Sequence, residues 1–309
     1  MDTVRIPNEA TYSPVSLMDV AISAPLLSRL VLGATLPGIA LQTAAMLMYA
    51  GSSFQDWIER LGVRRIDFLA EFGADVDHLE AMPAALREAE LHVLAQQLDV
   101  GYTTERIPLA ELAVLVDRHL TDYIAGITDQ RVETSTAVRD FTLARFLFPF
   151  AIGAADILSG DVAIFRDTGI FEPHVVAHEF AHRKGYFREL EAQALAYLAL
   201  TASKEPVLVQ SALAERLHRN IRALEGGDEV AFERRVRSLG LRPELEKELL
   251  RVKPAPPGLM TPIIEAMRTL YDLRMRLTGQ NGLSDYDVGF TNFLYTERIR
   301  GRQDDGSGQ

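Results

Sequence analysis

The 309-residue sequence contains no cysteine, which excludes disulfides and every metal site that depends on thiolate. Any metal must be held by His, Asp or Glu. An excess of positive charge is missing too. Forty-three acidic residues against 32 basic ones leave a formal net charge of −11, so there is no electrostatic footprint for nucleic acid. Residues 1–16 carry Pro7 and Pro14 but no basic segment followed by an apolar core, so no secretory signal is read there. The expected location is the cytoplasm, or the inner membrane with a cytoplasmic catalytic domain. No internal repeat is visible, and strand-like runs are scarce.

What is present is 48% hydrophobic residues, enough for one sizeable core or at most two domains. Helical periodicity dominates. The composition suggests an N-terminal segment over 1–55, a helical domain over 56–300 and a disordered polar tail over 301–309. Leu30 to Gln55 carries no charge, a length sufficient to span a bilayer. Pro37, Gln42, two threonines and three glycines make it a mediocre span. A membrane-spanning segment around Leu30–Ser53 and a buried or membrane-surface helix therefore both stay open.

The chemistry concentrates in EPHVVAHEFAHRKGYFRELEAQALAYLALTA, residues 172–202. His178 and His182 stand at i and i+4, which on a helix puts both imidazoles on one face for a single Zn²⁺. Glu179 between them is placed as general base toward a zinc-activated water. Pro173 suits a first helical turn, and Gly185 suits a stop after a basic last turn. A second helix is expected to restart near Arg188 and to run to about Ala202.

A working zinc site needs a third protein ligand. The metzincin continuation, HExxHxxGxxH, fails because Arg188 stands at its last position and a guanidinium cannot bind a metal. The gluzincin pattern takes a Glu from the following helix. Glu189 fits it, because Ala192, Gln193 and Ala196 share its face. Glu191 is the rival ligand, on a face with Ala194, Leu195 and Leu198. Gln193 is placed to orient a ligand imidazole. His174, a third histidine at this spacing, is carried past the metal by the helical rise and is read as structural or cleft-lining.

HEFAHRKGYFRELEAQALAYLA resembles the motif region of an uncharacterised bacterial family of predicted zinc-dependent, often membrane-anchored HExxH proteins. The residues that carry the likeness are His178, Glu179, Ala181, His182, Gly185, Glu189, Glu191, Ala192 and Leu195 to Leu198. The segment is also similar to the E-x-x-A-D stretch of HtpX-like membrane gluzincins, which supports Glu189 as ligand, although Gln193 stands where those enzymes have Asp. The resemblance covers about Phe148 to Leu200. It implies a mainly α, zincin-like (gluzincin) core, with an HExxH helix, a ligand-bearing helix and a small β element. It also implies Zn²⁺ as cofactor and a peptide or protein as substrate. A faint similarity to a tyrosine near that family's C-terminus marks Tyr286 as a transition-state donor candidate.

Other expectations follow from the rest of the chain. DVAIF, Asp161 to Phe165, reads as a strand, placed to receive an extended peptide by main-chain pairing. Tyr186, Arg188 and Tyr197 flank the motif and suit packing more than catalysis. Glu215-x-x-His218 repeats the spacing of Glu179-x-x-His182, which opens a helical di-metal carboxylate alternative. Its sequence, ERLHRNIR, looks like a solvent-facing helix. A non-catalytic, membrane-associated protein with a structural zinc is a further alternative.

Overall fold

A computed structural model of the chain describes residues 1–8, 11, 24, 27–139, 152–156, 159–252 and 261–306. The sequence also reads FLFPF, 146–150, as an apolar run closed by Pro149, and 253–262 as a Pro-rich connector; the first, and the second up to 260, lie outside the described residues. The rest is mainly helical. Strands β1 (Asp2–Arg5), β2 (Gln130–Glu133), β3 (Gly153–Ala155) and β4 (Val162–Ile164) form two small two-stranded sheets. The helices are α1 (Leu36–Arg60), α2 (Phe68–Phe72), α3 (Ala84–Val100), α4 (Leu109–Thr128), α5 (Glu172–Arg183), α6 (Glu189–Ala202), α7 (Pro206–Glu225), α8 (Glu229–Ser238), α9 (Pro243–Leu250), α10 (Thr261–Leu277) and α11 (Val288–Gly306). Helix α11 continues into the polar tail that composition assigns to disorder.

The chain forms two compact units that interleave in sequence. One comprises 1–64, 108–166 and 179–187, and the other 65–107, 167–178 and 188–309. In the first, β1 pairs in parallel with β2, placing Asp2 opposite Gln130. Ile6, Val63 and Val132 close a small core beside this sheet. Helix α4 buries Leu112, Val116, Leu120 and Ile124, the 4-4-4 stripe of an amphipathic helix.

Helix α1 has its polarity reversed. Thr35 caps it and Pro37 opens it. Its buried stripe is Gly38, Ala45, Tyr49, Ser53, Asp56 and Arg60, held by polar contacts. Tyr49 Oη donates to Asp156 at 2.5 Å, Asn8 N donates to Asp56 at 2.7 Å, and Arg60 Nε donates to the Arg183 carbonyl at 3.1 Å. Leu36, Leu47, Met48, Phe54 and Trp57 face outward. Among the described residues no helix is long and apolar enough to cross a membrane.

In the second unit, Leu91, Leu94 and Leu98 of α3 share one buried cluster with Leu217 and Ile221 of α7, Phe232 and Val236 of α8, and Leu245 and Leu249 of α9. Phe68 and Phe72 of α2 pack their rings against Phe293 of α11 at 5.8 and 5.9 Å. The ERLHRNIR stretch corrects the sequence expectation. It is not solvent-facing: Glu215, Arg216, His218 and Asn220 are all buried. Their charges are matched inside the fold, since Arg216 donates to Glu90 and to the Tyr197 hydroxyl, and Asn220 donates to Glu90. Composition alone does not reveal those partners, which come from distant helices.

Candidate metal centre

A 3₁₀ turn at Gly169–Phe171 leads directly into α5, which starts with Glu172 and Pro173 and carries the HExxH motif. The helix is fixed at both ends. Near its start, the Ser211 hydroxyl accepts from the His174 backbone N–H at 3.0 Å. At its end, Arg183 and Lys184 do more than complement the helix dipole. Both are buried. Arg183 donates to the carbonyls of Gly160, Ser135 and Ala137. Lys184 Nζ lies 2.7 Å from Asp117 and donates to the Val132 carbonyl at 3.0 Å. Burial pushes the Lys184 ammonium below its ordinary pKa, while Asp117 opposes that shift. Gly185 follows with φ +104°, a left-handed conformation open to glycine at little cost. The chain can then turn into α6 within five residues.

Within this helical hairpin, His178, His182 and Glu189 each offer one ligand atom, and the three atoms lie within 4.8 Å of one another. Among the described residues this is the one such group. His178 Nε2 and Glu189 Oε2 face each other at 3.1 Å. His182 Nδ1 donates to the Tyr186 carbonyl at 2.7 Å. Because a carbonyl can only accept, that bond places the proton on Nδ1 and leaves Nε2 with its lone pair, the state a metal ligand needs. Two imidazoles and one carboxylate, with no thiolate, suit zinc in a three-ligand set. The residues present therefore fit the ion.

Glu179, the expected base, is buried beside His178 in sequence. Glu191 is not part of the cluster. It lies 4.0 Å from Arg188 Nε. The expectation for Gln193 needs correction: its amide donates to Glu215 Oε1 at 2.7 Å rather than to a ligand imidazole. A buried carboxylate demands donors, and Glu215 supplies that demand one turn away from the ligands. The Tyr186 carbonyl takes over the orienting role.

The flanking aromatic and basic residues have structural work. Tyr186 Oη donates to the Arg64 carbonyl at 3.2 Å, Arg188 pairs with Asp77 and donates to the Gly279 carbonyl, and Tyr197 Oη accepts from Arg216. His174 is buried, with Nε2 4.0 Å from Glu215 Oε1, and burial drives its pKa down to about 4. The outlying histidines His78 and His92 are exposed.

Glu215 and His218 do not assemble a second centre. Arg219 Nε donates to Glu215 at 2.6 Å and also binds Asp287 at 2.9 Å. Burial alone would raise the Glu215 pKa, but Arg219, then His174 and His218, hold it well below the carboxylate range. His218 sits between the rings of Phe171 and Phe232, at 5.4 and 5.0 Å.

Tyr286 is close to the cluster, its ring 6.0 Å from that of His178. Burial, then the Glu189 carboxylate, push its hydroxyl well above the ordinary tyrosine pKa, so it stays protonated and able to donate. Sequence reading missed Tyr271, whose hydroxyl donates to Glu189 Oε1 at 2.7 Å. It also missed Gln280, whose side-chain carbonyl accepts from the Glu189 backbone N–H at 2.9 Å. Neither belongs to a motif, and both lie more than 80 residues beyond Glu189.

β4 confirms the expected strand, but both of its edges are occupied. Ala163 pairs with Ala154 of β3 on one side, and on the other Arg139 N donates to the Val162 carbonyl while Ile164 N donates to the Arg139 carbonyl. Its main chain is therefore not open to an incoming peptide.

Residues 169–295 match the model of a family described as a protein of unknown function (DUF3810). That span begins at the 3₁₀ turn before the HExxH helix and ends within α11, so it contains the ligand cluster, Tyr271 and Tyr286. No curated protein and no solved structure matches the chain.

Proposed function

We propose that this protein is a zinc-dependent metallohydrolase of gluzincin type, acting on peptide bonds. The observation that carries the proposal is the convergence of His178, His182 and Glu189 from an HExxH helix and the helix after it. Those three would hold the zinc, which when bound supplies a Lewis acid that lowers the pKa of water and polarises a carbonyl. Glu179 takes the proton from the attacking water at its carboxylate and passes it to the leaving amine. The Tyr286 hydroxyl is a protonated donor near His178 for the oxygen that gains charge. The zincin-like arrangement of the core is part of the same proposal.

Metal content by elemental analysis, paired with cleavage of a mixed peptide library, tests it. About one zinc per chain, retained in Glu179→Gln with cleavage lost, and lost in Glu189→Ala, is the expected result. About two irons per chain, sensitive to Glu215→Ala, would establish the di-metal alternative instead.

Association with a membrane surface belongs to the proposal as well, on the strength of the outward apolar face of α1. Co-sedimentation with lipid vesicles, abolished by Leu47→Glu, is the expected outcome.

A further inference from the structure

Among the described side chains of helix α10, Met275 is buried, while Leu270, Leu273 and Leu277 are exposed. Yet the stretch from Tyr271 to Gln280 places three polar contacts on two neighbouring residues at the start of α6. Tyr271 Oη donates to Glu189 Oε1 at 2.7 Å, Gln280 Oε1 accepts from Glu189 N at 2.9 Å, and the Gly279 carbonyl accepts from Arg188 at 3.1 Å. Two of these fix backbone and hairpin. The Tyr271 contact reaches the carboxylate itself.

A carboxylate has two oxygens, and their division here is asymmetric. Oε2 faces His178 Nε2 at 3.1 Å, whereas Oε1 is committed to the phenol at 2.7 Å. With both oxygens unengaged, a carboxylate can bind a cation through one oxygen or both; an O–H donor on one oxygen favours binding through the other. The distinction matters chemically. A second oxygen on the ion fills the position that water and a substrate carbonyl need. Tyr286, half-buried, has its hydroxyl 3.4 Å from that of Tyr271 and interacts with the same Glu189 carboxylate.

We propose that Tyr271 is a positioning residue that keeps Glu189 a one-oxygen ligand. The proposal rests on the reading of His178, His182 and Glu189 as a metal site. It assigns helix α10 a role: it delivers one hydroxyl to the third ligand.

The test uses the full chain and cobalt(II) as the probe, because cobalt's visible d–d bands are strong in four-coordinate sites and weak in five- or six-coordinate ones. Wild type is expected to bind about one cobalt with strong bands. Tyr271→Phe removes a single oxygen from a half-buried ring, so the metal-free variant should melt close to wild type. Its cobalt complex should show weakened bands, and its affinity should fall by about tenfold. A Tyr271→Phe protein with wild-type bands and wild-type affinity overturns the proposal and leaves the metal site standing. Wild type that binds no cobalt overturns both. Should Tyr271→Phe not fold, Tyr271→Leu removes the hydroxyl without adding a donor or a ligand. Bands weakened in Tyr271→Leu relative to wild type support the role, and unchanged bands with unchanged affinity remove it.

Discussion

Helices α5 and α7 carry the same spacing, Glu179-x-x-His182 and Glu215-x-x-His218, and the two pairs meet opposite fates. His182 has its Nδ1 engaged by a backbone carbonyl, and its second nitrogen joins His178 and Glu189. His218 is wedged between two phenyl rings with its Nε2 3.3 Å from the Val252 carbonyl. Glu215 has its charge answered by Arg219. What separates a group that could hold a metal from an ion pair is thus the company of the motif. Both acids have an arginine four residues on, but Arg219 donates to Glu215 while Arg183 donates to the carbonyls of Gly160, Ser135 and Ala137. The first motif also has His178 before its acid where α7 has Ala214. The spacing is necessary for a shared helix face and does not decide what that face binds.

The largest expected effect attacks the first pair. Glu179→Gln keeps the shape and removes the base, so peptide hydrolysis should drop by about 10³-fold, a proportion typical of losing general-base catalysis, with zinc content unchanged. A variant that loses its zinc would make Glu179 a ligand and erase the assigned roles. The second pair should respond in stability instead. Glu215→Ala leaves the half-buried Arg219 with Asp287 alone as its carboxylate partner among those described, and removing one member of a largely buried ion pair costs about 3 kcal/mol. Urea unfolding measures this. If the protein stays as stable as wild type yet loses metal, the contrast between the two pairs collapses.

A smaller effect sharpens the contrast through pH. Burial, and then Arg219, lower the His218 pKa from 6.5 to about 4, against the opposing pull of Glu215 and Asp287. The folded protein therefore keeps this imidazole neutral, and below pH 6.5 the unfolded chain binds the proton more readily. Stability falls as pH drops from about 6.5 towards 4, at up to about 1.4 kcal/mol per pH unit for this one group. His174 is depressed in the same sense. The informative quantity is thus the difference between wild type and His218→Leu, whose unfolding free energy should lose part of its slope between pH 6.5 and 4. Equal slopes in the two proteins would mean that His218 titrates alike in the folded and the unfolded chain.

How far all this was legible in the sequence follows from the range of the interactions involved. The motif, the strand at DVAIF, the helix restart after Gly185 and Glu189 as the third acid are local signals, set by periodicity and spacing within about 15 residues. The misread parts depend on distant partners. ERLHRNIR looked solvated because nothing in its neighbourhood announces Glu90 and Asp287, which neutralise Arg216 and Arg219. Arg183 and Lys184 read as a basic last turn that complements the helix dipole, but carbonyls from 132–160 receive them. β4 looked open to an incoming peptide because its pairing with Arg139 crosses 23 to 25 residues of sequence with no hairpin signal. Tyr271 was invisible for the same reason.

The smallest expected effect discriminates between the two acids of α6. Glu189 and Glu191 are two residues apart, and two steps of about 100° carry Glu191 to roughly the opposite side of the helix. One metal therefore cannot be held by both. Glu191 lies near Arg188 and keeps a partly exposed side chain, an arrangement that surface ion pairs share and that contributes about 0–1 kcal/mol. Glu191→Gln should accordingly leave zinc content unchanged and shift its affinity by less than about twofold, in contrast to Glu189→Ala. Competition with a chromogenic chelator resolves a difference of that size. A Glu191→Gln protein that loses its zinc while Glu189→Ala retains it would require α6 to be turned by half a revolution. The hydroxyl of Tyr271 and the amide of Gln280, both bound to Glu189, would then have lost their common target.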